Sequence, residues 1–405
     1  MKVLYVVGSC LTKNTSANMS HNSFIKGLLD CGADVEVLMA NESWGEEDKA
    51  LPRFEKVKYY QYNATSVADK VRTGYKKKVY SENASINTMR HDKNQNQSFK
   101  DLMRRIAKKG FYLCFPQDPV YPLEKIWLRK ASSFRSQVVY DVIISNSSPA
   151  ASHKMVDILL KSNHILGKRW IQIWEDPWFY DLYGGHSGKI EKEEHYLLRR
   201  AQEIYYVSPL TLMYQKRHYF DCADKMQCIP LPYFEFSKEI VEKADKNSFG
   251  YFGDYYSKTR NLLPFYEALK VSGYEGRIYG DSDLLLKETD KIEVSGRVTL
   301  DVLSEVQAKT QVLVHLCNLH GGQIPGKIYH YSATRKPILF IIDGTEEEQK
   351  SIQNFFSKYN RYYFCKNDTK SIVATMKQIV EEQKIFEAVT AFRPKEVIRY
   401  ILEKG

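Results

Sequence analysis

Residues 311–340 read QVLVHLCNLHGGQIPGKIYHYSATRKPILF, and their order predicts strand, glycine turn, helix, strand. Gln311 to Leu316 is apolar and β-branched enough for a buried strand. Gly321 and Gly322 let the backbone turn sharply. Pro325 suits a first helical position, where its missing N–H costs nothing. Lys336-Pro337 stops that helix before the strand Ile338 to Ile342. Free N–H groups at Gly326, Lys327 and Ile328 would leave the helix start beside a lysine, a combination that favours a phosphate. An ordinary strand–helix connection explains the same pattern, and the local sequence leaves the two readings open.

The same rhythm runs outward from this stretch. Phe249 to Gly253 reads as a strand, the loop DYYSKT follows, and Arg260-Asn261-Leu262 opens a helix. Arg277 to Gly280 is a further strand, and helices are expected over 299–309, 347–357, 368–383 and 394–403. Near the start, Val3 to Val7 is a continuous apolar run ended by Gly8. A helix with Phe24, Ile25, Leu28 and Leu29 and a strand from Asp34 to Met39 come next. This βαβ opening lacks G-x-G-x-x-G, which argues against NAD binding. Tyr140 to Ser145 is a strand, and Ser147, Ser148 and His153 follow its C-terminal end, where open α/β sheets place ligands. A lone helical histidine is equally an ordinary structural residue. Arg169 to Trp174 is another buried strand, with Glu175-Asp176-Pro177-Trp178 after it. Asp176 beside Trp174 and Trp178 could offer a sugar-binding surface, since flat rings pack on pyranose faces, or Asp176 could cap a turn. Cys228 to Tyr233, with Pro230 and Pro232, reads as a crossing between two domains, 1–232 and 233–389.

A chain of 405 residues is too long for one ordinary core. At 43% hydrophobic and 27% charged it has a soluble globular composition, with no apolar run of membrane-span length and no signal peptide. Seven scattered cysteines, an odd number, fit a reducing cytosol. The net charge of +10 comes without a nucleic-acid motif, so no nucleic-acid partner is expected. A phosphate-bearing substrate, an anionic membrane surface or a merely solvated basic face all accommodate that charge. Phe99 to Phe115 interleaves Lys100, Arg104, Arg105, Lys108 and Lys109 with apolar residues, as a segment lying on a membrane would, or as a helix with one wet face.

The run P-G-K-I-Y-H-Y-S-A-T-R-K-P-I-L resembles the donor-site helix of retaining GT-B glycosyltransferases of the family 4 type, through Pro325, Lys327, Ile328, Tyr329, Tyr331, Ala333, Lys336, Pro337 and Ile338. Phe115, Pro116, Asp118, Pro119 and Trp127 are similar to an element of capsule, O-antigen and exopolysaccharide sugar transferases. The resemblance implies an α/β chain of two Rossmann-like domains facing a cleft, with 390–405 returning to the first. It implies transfer of a sugar from a nucleotide sugar, UDP-linked for preference, to a saccharide or lipid-linked acceptor in surface polysaccharide synthesis. No cofactor and no metal are expected, although Asp281-Ser282-Asp283 has the form of a metal motif. Arg260 and Lys327 would carry catalysis by meeting the departing diphosphate. Gly8, Gly253, Gly296, Gly322, Gln323, Gly326 and His330 would line the donor, and Ser147, Ser148, His153, Asp176 and Trp178 the acceptor side. The expected place is the cytoplasm, with peripheral attachment at the inner face of the membrane left open. Several positions depart from the pattern: His330 replaces a glutamate that holds the ribose, Arg335 a glycine that ends the helix and Ser148 a histidine, and Asp254 stands where some relatives have arginine. A non-catalytic GT-B subunit supporting a partner, or a GT-B-fold epimerase, are the alternatives these departures leave.

Overall fold

The computed structural model describes residues 1–12, 15–41, 47–49, 51–64, 118–182, 186–233 and 244–403. The basic stretch Phe99 to Phe115, and with it Pro116, lies outside the described residues. The first half gives β1 (Lys2–Val7), β2 (Asp34–Asn41), β3 (Lys58–Asn63), β4 (Val139–Tyr140), β5 (Val142–Asn146), β6 (Leu166–Gly167), β7 (Trp170–Trp174), β8 (Glu203–Tyr206) and β9 (Met226–Cys228). Seven of them form one parallel sheet in the order β3-β2-β1-β5-β7-β8-β9. The second half gives β10 (Asp245–Phe252), β11 (Glu275–Tyr279), β12 (Ile292–Ser295), β13 (Thr310–Leu316), β14 (Ile338–Ile342) and β15 (Tyr362–Lys366). They form a second parallel sheet in the order β12-β11-β10-β13-β14-β15. These are the two Rossmann-like units expected from the alternation of strands and helices.

Helices on both faces explain the apolar runs. Every residue of β5, β7 and β14 is buried. One apolar layer runs through both units, from Val3, Tyr5 and Phe24 to Ile328, Tyr329, Phe340 and Phe356. Separate layers cover the outer face of each sheet. Tyr329 joins the units directly, its hydroxyl donating to Val207 O at 2.9 Å.

The helix after the glycine turn is shorter than the sequence suggested. It spans Lys327–Tyr331 with Gly326 as its cap, so Pro325 lies ahead of it and Ala333 beyond it. Competing hydrogen bonds stop it early. Ser332 Oγ bonds back to Ile328 O, and buried Arg361 takes the carbonyls of Thr334 and Lys336. Lys336 itself donates to the carbonyls of Gln307, Ala308 and Thr310, satisfying the C-terminal end of the helix Leu300–Lys309.

The chain crosses between the units twice, and the crossings lie side by side. Tyr233 N donates to Phe392 O at 3.1 Å, and Arg393 Nε to the Tyr233 hydroxyl at 3.2 Å. The helix Pro394–Glu403 then packs on the helix Ser16–Asp30. Gly27 permits that contact, because a Cβ there would lie 2.3 Å from Pro394 O. Gly27→Ala should therefore destabilise the protein by about 1–3 kcal/mol, the cost of overpacking a close contact. Gly188→Ala, where a Cβ meets nothing within 4 Å, should stay within about 0.5 kcal/mol of the parent. Denaturant titration of the two variants checks the contrast.

Candidate active site at the end of the second sheet

Neighbours β10 and β13 send their chains to opposite sides of the second sheet, which opens a crevice beyond their C-terminal ends. A cavity of about 390 Å³ occupies that crevice. Its wall includes Gly253, Asp254, Arg260, His315, Lys327 and Tyr331. Arg260 and Lys327, the two cations expected to meet a diphosphate, both line this cavity.

Neutral partners hold both cations. Lys327 Nζ donates to Phe252 O, at the end of β10. Arg260 forks onto Asn318 Oδ1 through Nε (3.1 Å) and Nη2 (2.7 Å), and its Nη1 reaches Asp254 O at 2.9 Å. Neither charge is spent on a carboxylate in these contacts. Burial pushes the Lys327 ammonium down to about 8; the Asp254 charge opposes this and those of Arg260 and Arg297 add to it. Burial alone would raise the Asp254 carboxyl. The Arg297 guanidinium and the Asp281 N–H more than offset that and hold it below its ordinary value. The Asp281-Ser282-Asp283 turn is tied into the protein: Asp281 meets Arg297 at 3.2 Å, and Asp283 accepts from Ser257 N and Oγ at 2.7 Å each.

The carbonyl side of the glycine turn is used to join the two units. Gly322 O accepts from Ser208 Oγ (2.5 Å) and Thr211 Oγ1 (2.7 Å), at the start of the helix Pro209–His218 in the first unit. Gln323 Nε2 donates to Asp176 Oδ1 at 2.7 Å, and its Oε1 accepts from Leu182 N. These two residues bind the units together. Of the three helix-start amides expected to be free, Ile328 N–H is instead taken by Pro325 O at 3.4 Å. Gly326 lies where the units approach, 3.4 Å from Leu231 Cδ1 for an added Cβ. Gly253 faces Lys327 Nζ, and Gly296 faces Asp281, at 3.8 and 3.7 Å for an added Cβ. Gly8 is required by packing: a Cβ there would lie 2.1 Å from Pro149 Cδ. The half-buried His330 is not among the cavity's lining residues, and burial with the nearby Lys327 charge pushes its imidazole down to about 4.

On the facing unit, Ser148 is exposed beyond β5, while Ser147 is buried and accepts from Glu175 N at 3.2 Å. Asp176 is open to the cleft yet ringed by protein. That partial desolvation, with Glu175 and Asp181 nearby, raises its carboxyl to about 6 against the opposing Gln323 hydrogen bond. His153 is a correction to the acceptor-side set. It is 0% exposed, bonded to Ser145 Oγ at 2.7 Å and packed 4.1 Å from the Trp174 ring, which makes it a core residue. Trp178 packs on Tyr121 at 5.3 Å, and its backbone N–H is held by Glu194. Buried Glu194, which also accepts from Phe179 N, Gln215 and Tyr219, anchors this loop and was invisible in the sequence. So was His21, buried 3.2 Å from Glu175 with its Nδ1–H on Ser9 O. Burial would lower its pKa, but the Glu175 charge and hydrogen bond raise it.

A Lys327 ammonium near pKa 8 gives the cavity a pH signature. The charged form attracts anions and is lost as pH rises through 8. Sulfate, whose charge is constant in that range, should raise Tm more at pH 7 than at pH 9. Lys327→Arg should flatten that dependence, because guanidinium keeps its proton. Thermal melts with and without sulfate at both pH values check it.

No protein-family model matches the sequence, and no curated protein matches it. Solved structures do. A UDP-N-acetylglucosamine 2-epimerase is similar over 100% of this chain and 96% of its own, with TM-score 0.53 and 9% identity. TarM is similar over 100% and 97%, with TM-score 0.53 and 11% identity. AviGT4, a glycosyltransferase involved in avilamycin A biosynthesis, is similar over 99% and 96%, with TM-score 0.50 and 10% identity. At these identities the likeness concerns architecture, and it extends over both units: the chain has the GT-B fold.

Proposed function

We propose that this chain is a glycosyltransferase that takes a nucleotide-sugar donor in the cavity between β10 and β13 and moves the sugar to an acceptor hydroxyl. The observation that carries this reading is the pair of cations, Lys327 and Arg260, held there by neutral acceptors and facing an open cavity. As the sugar leaves, charge builds on the outer phosphate of the nucleoside diphosphate. Cations fixed beforehand need no reorganisation at that moment, so they lower the barrier and not merely the dissociation constant. The leaving phosphate would take the acceptor's proton, which leaves no protein base to assign. The acceptor would approach from the ends of β5 and β7, where Ser148 and Asp176 lie. Retention of configuration, a UDP-linked donor and independence of a metal rest on the resemblance of residues 325–339 to family 4 transferases.

The acceptor proposed is a lipid-linked saccharide on an anionic membrane, supported by the net charge of +10. Among the described residues no helix is long and apolar enough to cross a membrane. Binding would therefore be at the surface. Each basic residue there contributes about 1 kcal/mol. Changing Arg104, Arg105, Lys108 and Lys109 to glutamine should abolish sedimentation with anionic liposomes at low salt; wild-type protein that ignores such liposomes would remove the membrane partner.

Lys327→Ala and Arg260→Ala should each lower turnover by roughly 100-fold, as loss of one preorganised donor does elsewhere. A screen of nucleotide sugars with saccharide acceptors measures this. Wild-type rates in both variants would remove the enzyme assignment. Incubation with the donor alone, followed by sugar analysis, separates transfer from epimerisation.

A further inference from the structure

Among the described residues Asp254 is the one acid in the wall of the cavity, and Arg297 is its partner. Arg297 Nε donates to Asp254 Oδ1 at 3.0 Å, and its Nη2 reaches Oδ2 of the same carboxylate. The guanidinium also meets Asp281 Oδ2 at 3.2 Å. Its side chain is 68% exposed, against 28% for Asp254. The acid is therefore anchored in the wall, while the more exposed cation, not itself among the cavity's lining residues, lies on the solvent side of it. Arg297 is also close enough to Lys327 for its charge to act on that ammonium, as Arg260 does.

Two consequences follow. An exposed ion pair contributes little to stability, so Arg297 can exchange partners at low cost. A guanidinium has five donors in a fork that matches phosphate as well as carboxylate, so a phosphate oxygen can replace Asp281 without breaking the Asp254 contact. We propose that Arg297 is a third cation of the phosphate site, stationed on the solvent side of the wall by Asp254 and Asp281 and closing on the nucleoside diphosphate once it enters. This rests on the donor-site reading above and adds to it a residue from the β12 loop.

A simpler role for Arg297 is to cancel the charge of Asp254, and a double-mutant cycle separates the two. UDP is titrated calorimetrically into wild type, Arg297→Ala, Asp254→Asn and the double variant. With Arg297 as a ligand, Arg297→Ala should weaken binding about tenfold, and a loss of at least fivefold should persist in the Asp254→Asn background. Arg297→Lys should recover part of the loss. Binding restored to the Asp254→Asn level in the double variant overturns the proposal, because charge cancellation alone then accounts for Arg297. The exposure of Arg297 makes unfolding an unsuitable explanation, and unchanged melting temperatures would document that. Wild-type protein that binds inorganic diphosphate but no nucleoside diphosphate removes the nucleotide-sugar reading only, and the same cycle is then read with inorganic diphosphate. Protein that binds neither overturns both.

Discussion

Two adjacent parallel strands whose connections run to opposite sides leave a gap beyond their ends, which in the second sheet a backbone hydrogen bond from Leu319 N to Thr259 O at 2.9 Å crosses but does not fill. At the end of the second sheet two long side chains also span that gap. Arg260 comes from the β10 side and forks onto Asn318 from the β13 side, while Lys327 seals the top by donating to the last carbonyl of β10. The cavity exists because these long side chains bridge the divergence without filling it. Its charge follows from the same fact, since the bridges are cations and their acceptors are neutral. A cavity so built attracts an anion before any ligand-specific contact is made.

The facing unit is positioned by equally few groups. Gly322 O takes two hydroxyls from Ser208 and Thr211, and Gln323 joins Asp176 to the glycine turn. Tyr214 and Arg217, further along the same helix, reach Glu348 and Glu347 of the second unit. Polar contacts set the orientation, while the apolar layer around Leu231, Ile328, Tyr329 and Phe392 supplies adhesion that is indifferent to direction.

Sequence reading worked where structure is local. Apolar runs announced β1, β5, β7, β13 and β14, and a lysine beside a helix start and an arginine opening a helix were both placed at the cavity. It failed where the deciding contact is distant in the chain. The Gly321-Gly322 turn reads as a mere change of direction until Ser208, 114 residues earlier, is seen on its carbonyl. His153 looks like a ligand until burial beside Trp174 is known. Asp254 looked like damage to an anion site, and only the fold brings Arg297 onto it across 43 residues. Strand β9 escaped the sequence reading, which starts the linker at its last residue, Cys228, because three residues carry no periodicity. Helix length at Lys327–Tyr331 was overestimated because a helix ends when other donors and acceptors outcompete it, and Arg361 was one of these.

The doubled crossing beside Tyr233 and Phe392 makes the second unit an insert within the first. Arg169 shows how closely the ends are sewn together: it pairs with Glu203 on β8 and donates to the carbonyls of Ile401 and Leu402. One face of the helix Ser16–Asp30 thus waits for a segment made more than 360 residues later. On the ribosome, the first unit must spend the synthesis of the whole second unit with that apolar face uncovered. At ordinary elongation rates of about 5–20 residues per second, that interval lasts from several seconds to about half a minute. The order of manufacture therefore reverses the order of the sequence: the insert can complete its own sheet first, and the unit that begins the chain is the last to be finished.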